Sequence, residues 1–360
     1  MRYNSVIEIN KQKISITNPT YFIADIASNH DGDLERAKNL IWLSKDAGAD
    51  AVKFQHFKAN KIVSDVGFNS LGNKISHQSS WEKSVYEIFK EYECHRDWNL
   101  ELMETAKEAG IAFFTTPYDK EAVEMFNELP AFKIGSGDIT WIEFIEYISL
   151  KNKPVLLASG ASGIEDVQRA VDSIIKHNPQ IVLMQCNTNY TGSLENFRYI
   201  NLNVLKTFSV MYPNMILGLS DHTPGHSTVL GAISLGARVI EKHFTDSNDR
   251  IGPDHPFSMN PQSWKEMVER ARELEFALGN GIKEVEDNEK ETVIVQRRSL
   301  CLNKNKPSGS TIHEEDIVEL RPAPINSVPP YDKNRIIGKV LLCDKKSGEP
   351  IFYQDLGGTL

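Results

Sequence analysis

Two histidines, His222 and His243, stand at the ends of consecutive apolar runs. A lone histidine in such a place is ordinarily a satisfied structural residue. Two of them, beside Asp221, Glu241 and Asp254, point to a catalytic divalent metal held by imidazoles with further positions open. Three lysines, Lys53, Lys133 and Lys242, are each embedded in an otherwise apolar run. Lysine is rarely buried without a partner, and an anionic substrate would supply one. Thr116, Ser136 and Ser220 would add neutral donors, giving the mixture of cations and hydroxyls that phosphate or carboxylate recognition needs. Schiff-base chemistry on a strand lysine is the rival use of the same residues. A third group is acidic: Asp25, Asp138 and Asp254 are candidates for a general base or for orienting a metal-bound water. Gly135-Ser136-Gly137 is a short turn that lets backbone approach a ligand.

These residues need a scaffold that brings distant segments together. After Pro19 the chain alternates short apolar runs with helical patterns. The runs are Phe22–Ile26, Ala51–Phe54, Ile111–Phe114, Phe132–Ile134, Val155–Ala158, Ile181–Met184, Met215–Leu219 and Val239–Glu241. Helical stretches between them include Leu34–Ala47, Asn99–Ala109, Lys120–Leu129, Ile142–Leu150, Ile164–His177, Ser227–Leu235 and Pro261–Leu278. Gly48, Gly110, Gly236 and Gly279 mark helix ends. Eight alternations predict a (β/α)8 barrel and not a doubly wound sheet. Every run is followed by polar residues, and a barrel gathers all such strand ends on one rim.

The alternating segment from Val6 to Ile16 predicts a hairpin around Asn10-Lys11 within residues 1–20. The barrel is expected over 21–280 and a charged linker over 281–296. A small β-rich domain is expected over 297–360, stiffened by the prolines of LRPAPINSVPP.

The 360 residues carry 40 Lys plus Arg against 49 Asp plus Glu, a net charge of −9. That acidic balance, without a basic block, argues against nucleic acid as a partner. No run approaches the roughly 18 apolar residues of a membrane helix, and the first residues lack the apolar core of a secretion signal. The four cysteines are scattered without metal or disulfide spacing, as expected for reduced thiols in a cytoplasmic protein.

Several segments resemble the sialic acid synthase family of nonulosonic acid synthases. FIADIASNHDGDLERAKNLIWLSKDAGADAVKFQHFKA is similar to its opening signature. KIGSGDI, GLSDHTPGHS, GARVIEKHFT and GPDHPFSMNP are similar to its later motifs. RRSLCLN followed by GSTIHEEDIVELRP resembles the antifreeze-like (SAF) domain that ends these proteins. The family condenses phosphoenolpyruvate with an open-chain N-acylated amino sugar, giving a nine-carbon α-keto acid and phosphate.

The resemblance implies that His222 and His243 bind manganese or magnesium. It implies that Lys53, Thr116, Lys133, Ser136 and Ser220 hold phosphoenolpyruvate, and that Gln55, Tyr190 and Asp254 contact the sugar. Arg321 would reach in from the small domain of a second subunit in a homodimer. Asp25 and Asp138 stand where the family usually has Glu, and Ala158, Thr188 and PAPINSVPP also depart from its pattern. The rivals are another metal-dependent phosphoenolpyruvate-condensing barrel and a Schiff-base aldolase.

Overall fold

The computed structural model describes residues 3–72, 76–190 and 192–358. They form two compact units, 1–279 and 280–360.

The hairpin comes first, with β1 (Val6–Ile9) paired antiparallel to β2 (Gln12–Ser15). Asn10 and Lys11 both take positive φ, 48° and 67°, as a two-residue primed turn demands. Ile7, Ile9 and Ile14 join the barrel's core. Asn4 N–H donates to the Pro179 carbonyl, and Gln12 bonds Asp50. Both partners lie just before barrel strands, so the hairpin belongs to the N-terminal end of the barrel, away from the rim.

Eight parallel strands close the barrel: β3 (Tyr21–Asp25), β4 (Ala51–His56), β5 (Ala112–Pro117), β6 (Phe132–Ile134), β7 (Val155–Ala158), β8 (Ile181–Cys186), β9 (Ile216–Asp221) and β10 (Ala237–His243). Each matches one predicted apolar run, and β10 pairs with β3 to close the circle. Tyr21, Phe22, Phe54, Phe114 and Phe132 are fully buried, each worth roughly 1.5–3 kcal/mol on leaving water. The helix Leu34–Asp46 is capped by Asp33, which accepts from the Arg36 N–H, and the helix Asn99–Ala109 ends on left-handed Gly110. Between β4 and that second helix, residues 57–98 include the short helices Ala59–Ile62, Asp65–Ser70 and Val85–Glu91. This insertion has no counterpart in the strand-and-helix reading of the sequence.

The second unit carries β11 (Ser299–Leu302) paired to β12 (Ile317–Leu320), and β13 (Val340–Leu341) paired to β14 (Leu356–Gly357). Its core is small, centred on Leu300, Leu302, Ile312, Val328, Ile336 and Ile351. The predicted linker 281–296 is grouped with this unit, and its last turns form a helix, Lys290–Gln296. Among the described residues no helix is long and apolar enough to cross a membrane.

Candidate active site

Strand alternation decides which side chains enter the barrel. In the parallel registers His243 pairs with Asp25, and Asp25 with Lys53, so three neighbouring strands present these side chains in one layer. Cys186 pairs with Ser220, and Ser220 with Glu241, in a second row. Gln55 and Thr116 are partners one step further along β4 and β5. Together with Lys133, Ser136, Tyr118, Tyr190 and His222 these groups line an inner cavity of about 40 Å³.

Opposite charges are interleaved inside it. Lys53 Nζ lies 2.7 Å from Asp25 Oδ2 and donates to Thr116 Oγ1 at 2.9 Å. Gln55 Nε2 donates to the same Asp25 oxygen at 2.9 Å. Across the barrel, Lys133 Nζ meets Glu241 Oε1 at 2.5 Å, and Ser220 Oγ donates to that oxygen at 3.1 Å. Lys53 is 3.8 Å from it, while Glu241 Oε2 is buried without a hydrogen-bond partner among the described residues. Burial raises the Asp25 carboxyl, but Lys53, His243 and the Lys53 and Gln55 hydrogen bonds outweigh this and hold it down at about 2.

Lys242 is a correction. It alternates with Glu241 and His243, so it points out of the barrel, where it binds Asp221 Oδ2 and the Thr223 carbonyl. It is a structural ion pair and not a substrate lysine.

His222 and His243 meet at the cavity's mouth, their ring centroids 5.2 Å apart. His222 Nδ1 lies 2.8 Å from the Asn187 carbonyl. A carbonyl only accepts, so Nδ1 carries the proton and Nε2 keeps its lone pair, the tautomer a metal ligand needs. Burial, with His243 beside it, lowers the His222 imidazole to about 3. Among the described residues His243 Nδ1 is buried without a hydrogen-bond partner, and Asp254 Oδ2 lies 3.7 Å from it. These donors fit a divalent cation. No cage of three or more His, Cys, Asp or Glu exists among the described residues. Two imidazoles would therefore leave positions open for substrate and water, as catalytic sites do.

The remaining predicted residues divide. Tyr190 packs on His222, with ring centroids 4.3 Å apart, and lines both the inner cavity and an outer vestibule of about 300 Å³. Asp254 lines the vestibule and accepts from the Ser28 N–H. Asp138 lines neither cavity. Arg321 belongs to the second unit, exposed just after β12. Sequence reasoning placed Glu241 beside the histidines but missed it as the partner of Lys133, and missed Tyr118, which donates to Gln55 Oε1 at 3.2 Å. The alternation of Glu241 with His243 was the available signal.

Burial pushes the Asp138 carboxyl up to about 6. A raised carboxyl stabilises the fold through its protonated form. That contribution is complete below about pH 4, the unfolded value, and is lost as pH rises through about 6. Asp138→Asn, neutral at every pH, is therefore expected to melt with the parent near pH 4 and above it at pH 8. Parallel thermal melts across that range check this.

Ser136 is held by close backbone. Its Oγ accepts from the Gly160 N–H at 2.9 Å, and a Cβ on Gly160 would lie 2.6 Å from Thr188 Cγ2 and 2.8 Å from Ser136 Oγ. Gly160→Ala is expected to displace Ser136 and to cost about 1–3 kcal/mol of overpacking, which denaturant unfolding reads.

The NeuB family profile matches residues 40–283. The chain belongs to the NeuB family. It is 32% identical over 346 residues to the N,N'-diacetyllegionaminic acid synthase of Legionella pneumophila, covering 93% of this chain and 94% of that one. It is 30% identical to the human N-acetylneuraminate-9-phosphate synthase, covering 94% and 92%. The crystal structure of the sialic acid synthetase of Leptospira borgpetersenii serovar Hardjo-bovis, solved with citrate, superposes with a TM-score of 0.69 at 28% identity. That match covers 80% of this chain and 95% of that one. This NeuB chain is therefore a member of the sialic acid synthase family, and the two relatives named above are sugar-acid synthases.

Proposed function

We propose that this NeuB chain condenses phosphoenolpyruvate with an open-chain N-acylated amino sugar, N-acetylmannosamine or a deoxy-diacetamido analogue. The products are a nine-carbon α-keto acid and phosphate, which makes the protein a carbon–carbon bond-forming transferase. One observation carries the reading: Lys53 and Lys133 converge with Thr116, Ser136 and Ser220 in a single small cavity, below a pair of rim histidines.

Lys53 and Lys133 attract the phosphate and carboxylate of phosphoenolpyruvate, and the three hydroxyls complete its hydrogen bonds. Both lysines face carboxylates at salt-bridge distance, Lys53 with Asp25 and Lys133 with Glu241. Gln55, Tyr190 and Asp254 hold the sugar in the adjoining space, so the methylene carbon faces the aldehyde carbon within attack distance. His222 and His243 would hold a divalent cation, manganese or magnesium, which when bound supplies a Lewis acid for the aldehyde oxygen. The methylene carbon attacks the carbonyl and leaves positive charge at the enol carbon. The fixed negative charges of Asp25 and Glu241 stabilise that carbon. The former aldehyde oxygen takes up a proton and becomes a hydroxyl. Water adds at the enol carbon and gives one proton to a carboxylate lining the two cavities, Asp25 or Asp254. The tetrahedral intermediate then expels phosphate with cleavage of the carbon–oxygen bond, and its new hydroxyl loses its proton to the departing phosphate as the keto group forms. Phosphate release that requires enzyme, phosphoenolpyruvate and sugar together tests the reading; release without sugar overturns it.

The protein acts in the cytoplasm as a homodimer, without nucleic-acid or membrane partners. Its small antifreeze-like domain covers the partner subunit's rim, where Arg321 donates paired hydrogen bonds to the sugar. Arg321→Ala is expected to raise KM for sugar far more than for phosphoenolpyruvate. Mixing Arg321→Ala with His243→Ala is expected to restore part of the activity, because some mixed dimers pair an intact barrel with an intact arginine. Silence after demonstrated subunit exchange contradicts the trans arrangement.

A further inference from the structure

Strand β9 ends in Ser220-Asp221 and runs straight into His222, while β10 ends in Glu241-Lys242-His243. Alternation sends Ser220, His222, Glu241 and His243 into the barrel and turns Asp221 and Lys242 out of it. Asp221 and Lys242 are register partners, and theirs is the last pair of the β9–β10 ladder. His222 therefore lies one step beyond the backbone pairing that joins its strand to β10. The outward ion pair takes over from that pairing. The Lys242 ammonium binds Asp221 Oδ2, on the residue before His222. It also donates to the Thr223 carbonyl, on the residue after His222, at 2.5 Å. One cation thus grips the chain on both sides of His222, and the next residue along its own strand is His243. Asp221 tightens the same turn: Oδ1 accepts from the Thr223 N–H at 3.3 Å, and Oδ2 from the Thr223 and Thr228 hydroxyls, both at 2.8 Å. Thr228 stands in the helix Ser227–Ser234, so the turn is tied to that helix as well. The Lys242 and Asp221 side chains are each 1% exposed.

A buried ion pair is weak evidence for stability, because apolar side chains of similar volume hold a fold as well. It differs from them in fixing a distance and a direction. The two rim imidazoles, with centroids 5.2 Å apart, need both if they are to serve one cation. Resting on the metal site of the reaction proposed above, we infer that Lys242 is a positioning residue. From outside the barrel its ion pair with Asp221 sets the separation and aim of His222 and His243, and with them the affinity of the site for a divalent cation. Removing a partner that orients metal ligands typically costs about 10–100-fold in metal affinity.

The test is calorimetric titration of manganese into the full chain after chelation, with denaturant unfolding of the same samples. Titrations are run well below each denaturation midpoint, where every chain is folded. The parent is expected to bind manganese and His222→Gln to lose that binding. Lys242→Met leaves the Asp221 carboxylate buried without its cation and is expected to lower the midpoint. Lys242→Met combined with Asp221→Asn removes both charges and keeps an oxygen for the threonine hydroxyls. It is expected to unfold near the parent's midpoint, since replacing a whole buried pair is close to neutral. It is still expected to bind manganese about 10–100-fold more weakly than the parent, a loss that a purely structural role would not produce once stability is restored. Parent-like manganese affinity in the paired variant overturns the inference and leaves the metal site standing. No manganese binding by the parent, or binding unchanged in His222→Gln, overturns the metal site and the inference with it.

Discussion

Lys133→Met is expected to destabilise the fold by about 3–5 kcal/mol and to abolish phosphoenolpyruvate binding. The ammonium of Lys133 is 3% exposed and pairs with a Glu241 carboxylate that is 4% exposed. Removing the cation leaves that carboxylate with Ser220 as its hydrogen-bond donor and Lys53 at 3.8 Å. Its other oxygen already lacks a hydrogen-bond partner among the described residues. A buried charge stripped of its partner costs far more than the pair contributed. The double variant Lys133→Met, Glu241→Gln removes both charges and is expected to recover most of the stability, since replacing a whole buried pair is close to neutral. It is not expected to recover phosphoenolpyruvate binding. Denaturant unfolding paired with calorimetric titration separates the two effects. Binding that returns with stability would mean Lys133 serves only the fold.

His243→Gln is expected to remove metal dependence and lower turnover by several orders of magnitude, because Lewis-acid polarisation is worth several kcal/mol. The fold has less to lose. Among the described residues His243 Nδ1 is buried without a hydrogen-bond partner, and the ring is held by aromatic contacts with Phe257 and His222. A ligand that binds only the native state at a hundred times its Kd stabilises by about 2.7 kcal/mol. Excess manganese should therefore raise the melting temperature of the parent protein and leave that of His243→Gln unmoved. His222→Gln should behave alike. Full turnover after exhaustive chelation, or an unchanged metal-induced shift in both variants, contradicts the assignment.

The strand runs were legible because parallel barrel strands are buried on both faces and read as unbroken apolar segments. The hairpin was legible because apolar residues alternate on either side of Asn10-Lys11. The sites along one rim followed from the barrel alone. What crossed the barrel did not. Lys133 on β6 finds Glu241 on β10 through closure of the sheet, and nothing local in either segment announces that pairing. Lys242 read as a site lysine from its apolar neighbours, yet its place between Glu241 and His243 turns it outward. The insertion 57–98 was overlooked because its helices are four to seven residues long and too short to show a period. The charged segment before Arg297 read as a solvated linker or helix from its composition, and its last part, Lys290–Gln296, is helix.

The most direct test uses phosphoenolpyruvate labelled with heavy oxygen at the bridge between carbon and phosphorus. Attack by the methylene carbon, hydration of the enol carbon and expulsion of phosphate leave that oxygen on the phosphate. The account predicts labelled inorganic phosphate, formed only when an N-acylated amino sugar is present, and equimolar with a product carrying the carbons of both substrates. Unlabelled phosphate would mean that the phosphorus–oxygen bond breaks, and would contradict the mechanism at its central step.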